Sequence, residues 1–506
     1  MTGIHPWLAA LEDVVGPTNV RQNDLVRRAY RRDLWPSLQL KRLSNTLSDG
    51  PDAVVWPATA TEVAGVLRVC RDARVAVVPY GAGSGVCGGA ASSAGQVVID
   101  LKRLKNVRSF DRENQLVEVE AGLMGERFER WLNDQGCTLG HFPSSILCST
   151  VGGWLAGRSA GQCSSRYGKI EDMVVRLEVV TPDGQIRTTE RHTYGPDWTQ
   201  VFVGSEGTLG VITAAQLRIH QFPQHRAFGG WFLPTIDDGL TVMRDTMQDG
   251  LKPAVLRLYD PLDTKMVGAS PNGTQGAQAS LLKGLLAGQN ARFKHLIMRR
   301  VLGWSSVSNS VIRTWQGPVL LVAMTEGQPE ESEATFERLS HHASQRPGAQ
   351  YLGEQPGRDW LAHRYDVSYK QSRIYKMGAF VDTFEVATTW DRVVSVYEAV
   401  RRACAAHVVV MAHFSHVYAG GCSIYFTFAG SAPSIEKMQA KYAAAWQSGL
   451  DAALDAGAAI AHHHGVGISR IEHMGTALGD GIEIFRALKK TFDPSNIMNP
   501  GKVMRL

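Results

Sequence analysis

Three loops rich in glycine and hydroxyl side chains constrain the fold of this chain more than any other feature. They read PYGAGSGVCGG (79–89), PSSILCSTVGGWLAGRSAG (143–161) and GSEGTLGVIT (204–213), about 60 residues apart. Glycine at this density lets backbone amides approach a ligand closely and adopt positive φ angles, which suits a phosphate or pyrophosphate. One such loop is typical of a tight turn, whereas three within one segment indicate a binding site.

The residues around the loops predict a mixed α+β fold. Short β-branched runs at 75–79, 96–101 and 116–122 predict strands, and amphipathic patterns predict helices starting near Thr61 and covering 124–136. The first loop lacks the G-x-x-x-x-G-K-[ST] pattern, and no helix pattern follows it directly. The sequence therefore favours neither a P-loop nor a Rossmann dinucleotide site.

A chain of 506 residues is too long for one hydrophobic core, so we expect two domains. We divide it into an N-terminal helical lead-in (1–48) whose helix ends at Pro36, a first α+β domain (49–222), a substrate or cap domain (223–460) and a C-terminal segment returning to the site (461–506). Alternating strand and helix patterns in the cap domain predict an antiparallel sheet covered by helices on one face.

The three motifs resemble the FAD-binding domain of the vanillyl-alcohol oxidase type of flavoprotein, also called the PCMH fold, over roughly residues 50 to 225. That domain has two subdomains, and the resemblance implies bound FAD with Thr150 near the flavin N5. The implied cofactor-binding residues are Pro79, Gly81, Ala82, Gly83, Ser84, Gly85 and Val86 at the pyrophosphate, Ser144, Ser145, Ser149, Thr150, Gly152 and Gly153 at the flavin and its linker, and Glu206, Gly207, Thr208, Gly210, Val211 and Ile212 at the adenosine and ribityl side. Many relatives tether FAD through a histidine where this chain has Ser84, so we expect non-covalent FAD.

Further motifs are similar to the alkyldihydroxyacetonephosphate synthase family: STVGGW (149–154), PAVLRLYD (253–260), DTFEVATTWDRV (382–393), YAGGCSIYFTFAG (418–430) and AHHHGVG (461–467). The resemblance implies a reaction at the flavin N5 without net redox change, in which a fatty alcohol replaces an acyl chain. It implies proton transfer by Tyr425, His462, His463 and His464, because an imidazole exchanges protons near neutral pH. It places Arg257 at the substrate phosphate and adds Lys370, Thr383 and His413 to the substrate-binding set.

Two departures from that family leave the substrate open. A second arginine of the synthases falls on Gln371 here, with Lys370 and Arg373 as neighbours, and a lysine after the histidine motif is Ile468. An alternative is therefore an FAD-dependent oxidase or dehydrogenase of an alcohol or 2-hydroxy acid. A third alternative is a flavin-binding protein without catalytic activity.

The histidine trio also raises a metal hypothesis. Together with His413 and His416, residues 462–464 supply a common type of zinc ligand. Consecutive residues of a strand point to opposite faces, which disfavours one ion held by all three. We expect no metal.

The charge of the chain bears on which partners we expect, and a small-molecule substrate is the one we favour. The formal charge is +5 and the pI is near 8.8, but no long basic run occurs, so we expect no nucleic acid and a lipid-like or anionic substrate. A basic amphipathic pattern near 280–304 permits peripheral membrane contact. Seven cysteines without a C-x-x-C pair, and no secretion-signal pattern, predict a cytoplasmic protein, and the resemblance favours a homodimer.

Overall fold

The computed structural model describes residues 6–267, 300, 302–305, 309, 317–366, 374–375 and 378–505. The chain divides into two compact units. The first comprises Met1–Gly161, Gly168–Phe222 and His463–Leu506, and the second comprises Gln162–Tyr167 and Pro223–His462. Lys370, Gln371, Arg373 and most of the basic amphipathic segment lie outside the described residues.

The first unit contains two larger sheets and one two-stranded ribbon. The first sheet has the order β1-β2-β4-β3, with parallel pairing except between β1 and β2, and the second has the antiparallel order β5-β6-β10-β8-β9. The strands are β1 (Val20–Arg21), β2 (Ala53–Val55), β3 (Ala76–Tyr80), β4 (Gln96–Asp100), β5 (Val107–Asp111), β6 (Leu116–Glu120), β7 (Cys137–Thr138), β8 (Val174–Val180), β9 (Ile186–Glu190), β10 (Val211–Arg218) and β11 (His220–Gln221).

One helix, α4 (Ala60–Asp72), supplies much of the core of the first unit. Thr59 caps it by accepting a hydrogen bond from the Glu62 amide, and its apolar face is buried together with strand residues of both larger sheets. The other helices of this unit are α1 (Pro6–Val15), α2 (Asp24–Tyr30), α3 (Pro36–Leu43), α5 (Gly125–Asp134), α6 (Val151–Ala156), α8 (Ile170–Met173), α15 (Met474–Leu478) and α16 (Gly481–Phe492), with α4 itself at Ala60–Asp72. Short 3-10 turns occupy Pro17–Asn19, Ile146–Cys148, Trp198–Val201 and Ile471–His473.

The second unit is built on a seven-stranded antiparallel sheet with the order β15-β12-β14-β13-β17-β18-β16. These strands are β12 (His225–Leu233), β13 (Val255–Tyr259), β14 (Val319–Gly327), β15 (Gln350–Tyr351), β16 (Ala379–Thr389), β17 (Val409–Tyr418) and β18 (Gly421–Ser431). The helices are α7 (Ser164–Tyr167), α9 (Ile236–Gln248), α10 (Pro261–Val267), α11 (Pro329–Ser344), α12 (Gln355–His363), α13 (Val393–Ala405) and α14 (Ile435–Asp455).

The two faces of this sheet differ in their side chains. Phe384, Phe414 and Phe426 are fully buried on one face, where their rings contact aromatic residues of α13 and α14. Alternate residues of the same strands point to the opposite face, which we call the polar face because Thr383, Glu385, His413 and Tyr425 lie on it. Among the described residues, the short helices α10 and α12 pack on this face.

Two local predictions were wrong. Pro36 does not end the lead-in helix, because α2 already ends at Tyr30 and Pro36 begins α3, where its fixed φ and missing N–H are tolerated. The histidine trio is not in a strand. Residues 462–464 form bends before Gly465 and Gly467, whose φ angles of 77° and 53° turn the backbone away from the extended conformation.

Across the described ranges, no helix combines the length and apolar character that crossing a membrane requires.

Candidate functional site

The three predicted cofactor loops meet in the first unit. A Cβ atom added to Gly81 of the first loop would lie 2.3 Å from Thr150 Oγ1 of the second loop. A Cβ atom added to Gly207 of the third loop would lie 2.8 Å from Cγ of Pro79. The glycines thus permit three separate chain segments to come together at the end of β3.

The first loop is an accessible turn that depends on glycine. Gly83 has a φ angle of 67°, and a side chain there would collide with the Tyr80 hydroxyl at 1.9 Å. Residues 81–86 are half-exposed or exposed, whereas Cys87 and Gly88 are buried. An accessible glycine turn without side-chain bulk fits the pyrophosphate of FAD.

The second loop uses two of its predicted hydroxyls internally. Thr150 Oγ1 accepts a hydrogen bond of 3.2 Å from the Gly153 amide and caps α6, and Ser149 Oγ accepts one of 2.7 Å from Trp154 Nε1. Ser144 is exposed and Ser145 is half-exposed. The accessible members of the predicted set in this loop are therefore Ser144, Ser145 and Gly153, while Ser149, Thr150 and Gly152 are buried.

Glu206 in the third loop clamps the C-terminal segment. Its carboxylate accepts hydrogen bonds from the amide of Val466 at 2.5 Å and from the amide of Gly467 at 3.0 and 3.1 Å. Burial raises the pKa of Glu206, while these amides and the nearby Arg470 oppose that shift. Gly210, Val211 and Ile212 are buried at the start of β10, where the third loop joins the strand.

A row of polar and aromatic side chains crosses the second unit's sheet. Strand register places Glu385 opposite Tyr425, Tyr425 opposite His413, and His413 opposite Tyr259. Directly opposed residues of antiparallel strands point to the same face. The His413 ring stacks on Tyr425 with centroids 4.8 Å apart and an interplanar angle of 20°.

Arg257 and Thr383 adjoin this row. Arg257 lies two residues before Tyr259 on the same face, and its Nη2 is 2.6 Å from His413 Nε2. The Thr383 and Tyr425 hydroxyls are 2.8 Å apart. The structure therefore brings together three of the four predicted substrate-binding residues and the predicted catalytic tyrosine.

The electrostatics of the row favour one protonation state. Burial raises the pKa of Tyr425 to about 12, with the Thr383 hydrogen bond opposing the shift, so the phenol keeps its proton at neutral pH. Burial, and next the adjacent Arg257 guanidinium, lower the pKa of His413 well below its usual value. Tyr425 is thus a potential proton donor, and His413 is a neutral imidazole.

His462 belongs to a hydrogen-bonded chain that sequence reasoning missed. Its Nε2 is 3.2 Å from the Tyr418 hydroxyl, which donates to Ser164 Oγ at 3.1 Å, and Ser164 Oγ is 2.8 Å from His416 Nδ1. His416 sits at a bulge in β17 with a φ angle of 50°. The HFSHVY motif was the available signal, because it places two histidines and a tyrosine within six residues.

A groove of about 620 Å³ lies beside these hydrogen-bonded side chains in the second unit. Its lining residues are Ala387, Thr388, Thr389, Arg392, Tyr418, Gly420, Gly421, Cys422, Gly457, Ala459 and His462. The Glu385 carboxylate accepts a 3.0 Å hydrogen bond from the His462 amide. His462 is therefore joined to both the groove and the row.

The histidine trio is divided between the units. His462 ends the second unit, while His463 and His464 belong to the first, where their rings lie 4.4 Å apart at 66°. Within the part of the chain that the structure describes, no group of three histidine, cysteine or acidic side chains is arranged to hold a metal ion.

The sequence matches two protein families. Residues 51–190 match the FAD binding domain, and residues 222–503 match the C-terminal domain of FAD linked oxidases. The second match alone covers more than half of the chain.

Individual proteins agree with these matches. The chain is 30% identical to the alkyldihydroxyacetonephosphate synthase of Dictyostelium discoideum over 471 residues, which cover 90% of this chain and 74% of that protein. A solved alkyldihydroxyacetonephosphate synthase structure matches with a TM-score of 0.76 and 26% identity, covering 98% of this chain and 85% of that one. The structure of p-cresol methylhydroxylase with substrate bound shares the fold, with a TM-score of 0.75 at 15% identity, covering 99% of this chain and 97% of that one.

Proposed function

The chain belongs to the FAD-linked oxidase family and, within it, to the relatives of the alkyldihydroxyacetonephosphate synthases, and on this premise we propose that it catalyses group transfer at a flavin. The predicted recognition, fold class and FAD cofactor are confirmed by the family matches and by the shared fold. The protein is an FAD-dependent enzyme that acts on a small molecule. The identity of that molecule and the type of reaction are what we propose.

The first unit provides the cofactor part of the proposal. Residues 81–86, with the neighbouring Thr150 and Gly207, would hold FAD, which when bound supplies a reactive centre at its flavin ring. We propose non-covalent binding, because the first loop has Ser84 where a histidine tether would stand. Acid precipitation of the protein should leave the yellow colour in solution, and a coloured pellet would contradict non-covalent binding.

The observation that carries the proposal is the row on the polar face of the second unit's sheet. A guanidinium can bind an anionic group of a substrate, and a protonated phenol beside it can deliver a proton to a nearby oxygen of the same substrate. Arg257 supplies the cation and Tyr425 supplies the proton, with Thr383 orienting the hydroxyl. This pair supports an anionic carbonyl compound such as acyldihydroxyacetone phosphate as substrate.

The test is product formation by the FAD-loaded protein. Incubation with acyldihydroxyacetone phosphate and a fatty alcohol should release a fatty acid and give the ether product, measured by mass spectrometry. Tyr425→Phe should lower kcat by about 100-fold, within the range for loss of a general acid. Tyr351→Phe is the matched control, because Tyr351 is an exposed residue of the same sheet.

The second candidate is an oxidase or dehydrogenase of an alcohol or 2-hydroxy acid, which the match to FAD linked oxidases favours. An anaerobic titration separates the two functions. If the protein is an oxidase or dehydrogenase, substrate should yield an oxidised product. The absorbance of oxidised flavin at about 450 nm should then be lost persistently. The transferase should show the oxidised spectrum after turnover with alcohol.

We also propose a homodimer, which rests on the resemblance alone. Light scattering should give about twice the 55.3 kDa mass of one chain. A single-chain mass at micromolar concentration would contradict it.

A further inference from the structure

The contact between Arg257 and His413 fixes the donor and acceptor roles of both side chains. Arg257 Nη2 lies 2.6 Å from His413 Nε2. A guanidinium carries five N–H donors and no acceptor, and it stays protonated in proteins. His413 Nε2 must therefore carry the lone pair and accept this hydrogen bond.

The second ring nitrogen then carries the proton. His413 Nδ1 lies 3.3 Å from Asp263 Oδ2, and both residues are at most 8% exposed. A neutral imidazole has one N–H donor, which here points to a carboxylate acceptor. His413 is thus a neutral Nδ1–H tautomer that lies between the buried Asp263 carboxylate and the half-buried Arg257 guanidinium.

Asp263 is itself held by the start of α10. Its amide donates a 2.8 Å hydrogen bond to Asp260 Oδ1, in the first turn of the helix. Asp260 Oδ2 in turn accepts from the Ala412 amide at 2.9 Å, one residue before His413. The helix start and the strand are thereby tied together, which fixes the distance between Asp263 and His413.

The imidazole plane is fixed as well. One side of the ring stacks on Tyr425, and the Tyr259 ring lies 5.9 Å away. Among the described residues, Arg257 Nε has no hydrogen-bond partner although it is buried. The guanidinium is therefore oriented through one N–H group, and the half-exposed Arg257 side chain has further N–H donors that a ligand could use.

We propose that Asp263 and His413 are positioning residues that aim the Arg257 guanidinium at an anionic group of the substrate, a phosphate or a carboxylate. This inference rests on the proposed function, since it assigns the anion-binding geometry of the same site. It differs from the expectation that His413 binds substrate directly, because both of its nitrogens are already engaged by protein groups.

The kinetic test separates positioning from catalysis. His413→Leu removes the acceptor and should raise KM for acyldihydroxyacetone phosphate about 20-fold, with kcat changed less than about threefold. His413→Gln offers Oε1 as a replacement acceptor and should keep KM within about threefold of the wild-type value. Asp263→Asn should give an intermediate KM. A drop in kcat at unchanged KM would make His413 a catalytic residue and overturn the proposal.

A binding test does not depend on turnover. Calorimetric titration of the FAD-loaded protein with inorganic phosphate should show a Kd that rises about 10-fold in His413→Leu and changes little in His413→Gln. His407→Leu is the matched control, because His407 is a half-buried histidine of the same unit that contacts Ser448 instead. Thermal unfolding of each variant verifies folding.

The two tests fail in different ways. Phosphate binding that depends on His413, in a protein that makes no ether product, would support the positioning role and contradict the transferase function. An unchanged phosphate Kd in a folded His413→Leu protein would overturn the positioning role while leaving the transferase function intact.

Discussion

Glu206 in the first unit and Arg257 in the second both carry charge into the protein, but their hydrogen bonding differs. Both carboxylate oxygens of Glu206 accept backbone N–H groups. Lys489 in the first unit likewise donates to Thr208 O, Asp493 Oδ2 and Met498 O, which uses all three of its N–H groups. Arg257 donates to His413, and its buried Nε has no partner among the described residues.

The difference in hydrogen bonding distinguishes a charged group that stabilises the fold from one that can still bind a ligand. When a buried charge has all its hydrogen bonds, breaking any one of them raises the free energy of the protein. Such a charge therefore stabilises one arrangement of the chain. A buried donor without a partner costs free energy until a ligand supplies an acceptor. Glu206 and Lys489 therefore hold the third loop in place, whereas we propose that the Arg257 guanidinium is kept for substrate.

Glu206→Ala tests this comparison with the largest expected effect. Removal of the carboxylate leaves two amides without this acceptor and removes a negative charge that interacts with Arg470, so the free energy of unfolding should fall by about 3–5 kcal/mol. Denaturant unfolding of the FAD-loaded protein measures it, and bound FAD should also be lost. The exposed Glu113→Ala should change stability by less than about 0.5 kcal/mol. A loss below about 1 kcal/mol for Glu206→Ala would contradict a structural role.

Lys489→Met is the second test in the first unit. It removes the ion-pair partner of buried Asp493 and releases Thr208 O in the third loop. The expected loss is about 3 kcal/mol, less than for Glu206 because Asp493 keeps hydrogen bonds from the Ile497 and Met498 amides. Exposed Lys490→Met is the control in the next position of the helix, and equal stabilities of the two variants would argue against the assignment.

Arg257→Lys tests the second unit, where binding and stability should separate. Lysine keeps the charge but lacks the planar fork, so phosphate affinity should weaken by about 2 kcal/mol. The free energy of unfolding should change by less than about 1 kcal/mol, because no fully bonded network is broken. Calorimetry and denaturant unfolding give both values, with exposed Arg402→Lys as control. A stability loss larger than the binding loss would reverse the comparison.

His141→Leu asks whether incomplete bonding alone marks a ligand site. His141 is fully buried beside Trp154, and neither ring nitrogen has a partner among the described residues. Replacement by leucine should therefore stabilise the protein by about 1 kcal/mol at pH 7 without changing phosphate affinity.

The same variant has a defined pH dependence. Burial lowers the pKa of His141 to about 3, so between pH 6.5 and 3 only the unfolded chain binds a proton at this residue. Its contribution to stability therefore falls by about 1.4 kcal/mol per pH unit as the pH decreases through this window. The advantage of His141→Leu over the wild-type protein should grow from pH 7 to pH 5. A difference that stays constant from pH 7 to pH 5 would mean that His141 binds protons equally in the folded and unfolded states.

The local features of the fold could be predicted from the sequence. Alternating β-branched runs and the glycine loops depend on neighbouring residues, which explains why β3, the following loop and α4 lie where the patterns place them. The meeting of Gly81 with Thr150 depends on residues far apart in the chain. No local pattern contains that contact, so it came only from the family resemblance.

The site shows the same limit. Arg257 and Tyr425 were identified by motif, but Asp263 was missed, because its role arises only when the start of α10 faces β17. The strand expected at 462–464 overlooked Gly465 and Gly467, two glycines that are typical of a turn. Glu206 was assigned to the cofactor side, yet its carboxylate binds the C-terminal backbone, a contact spanning 260 residues.

The edge of the first sheet is completed by residues 498–499, and this sets an order of events during synthesis. Met498 pairs with Val77 of β3, and Asn499 Nδ2 donates to Gly89 O across 410 residues of sequence. At about 5–20 residues per second, the ribosome needs roughly 20–80 s to deliver that partner after the glycine loop has emerged. The described strands of the second unit's sheet end at Ser431, so they emerge well before then. We therefore expect a nascent chain to form the sheet of the second unit first, and to complete the first sheet only after residues 498–499 have emerged.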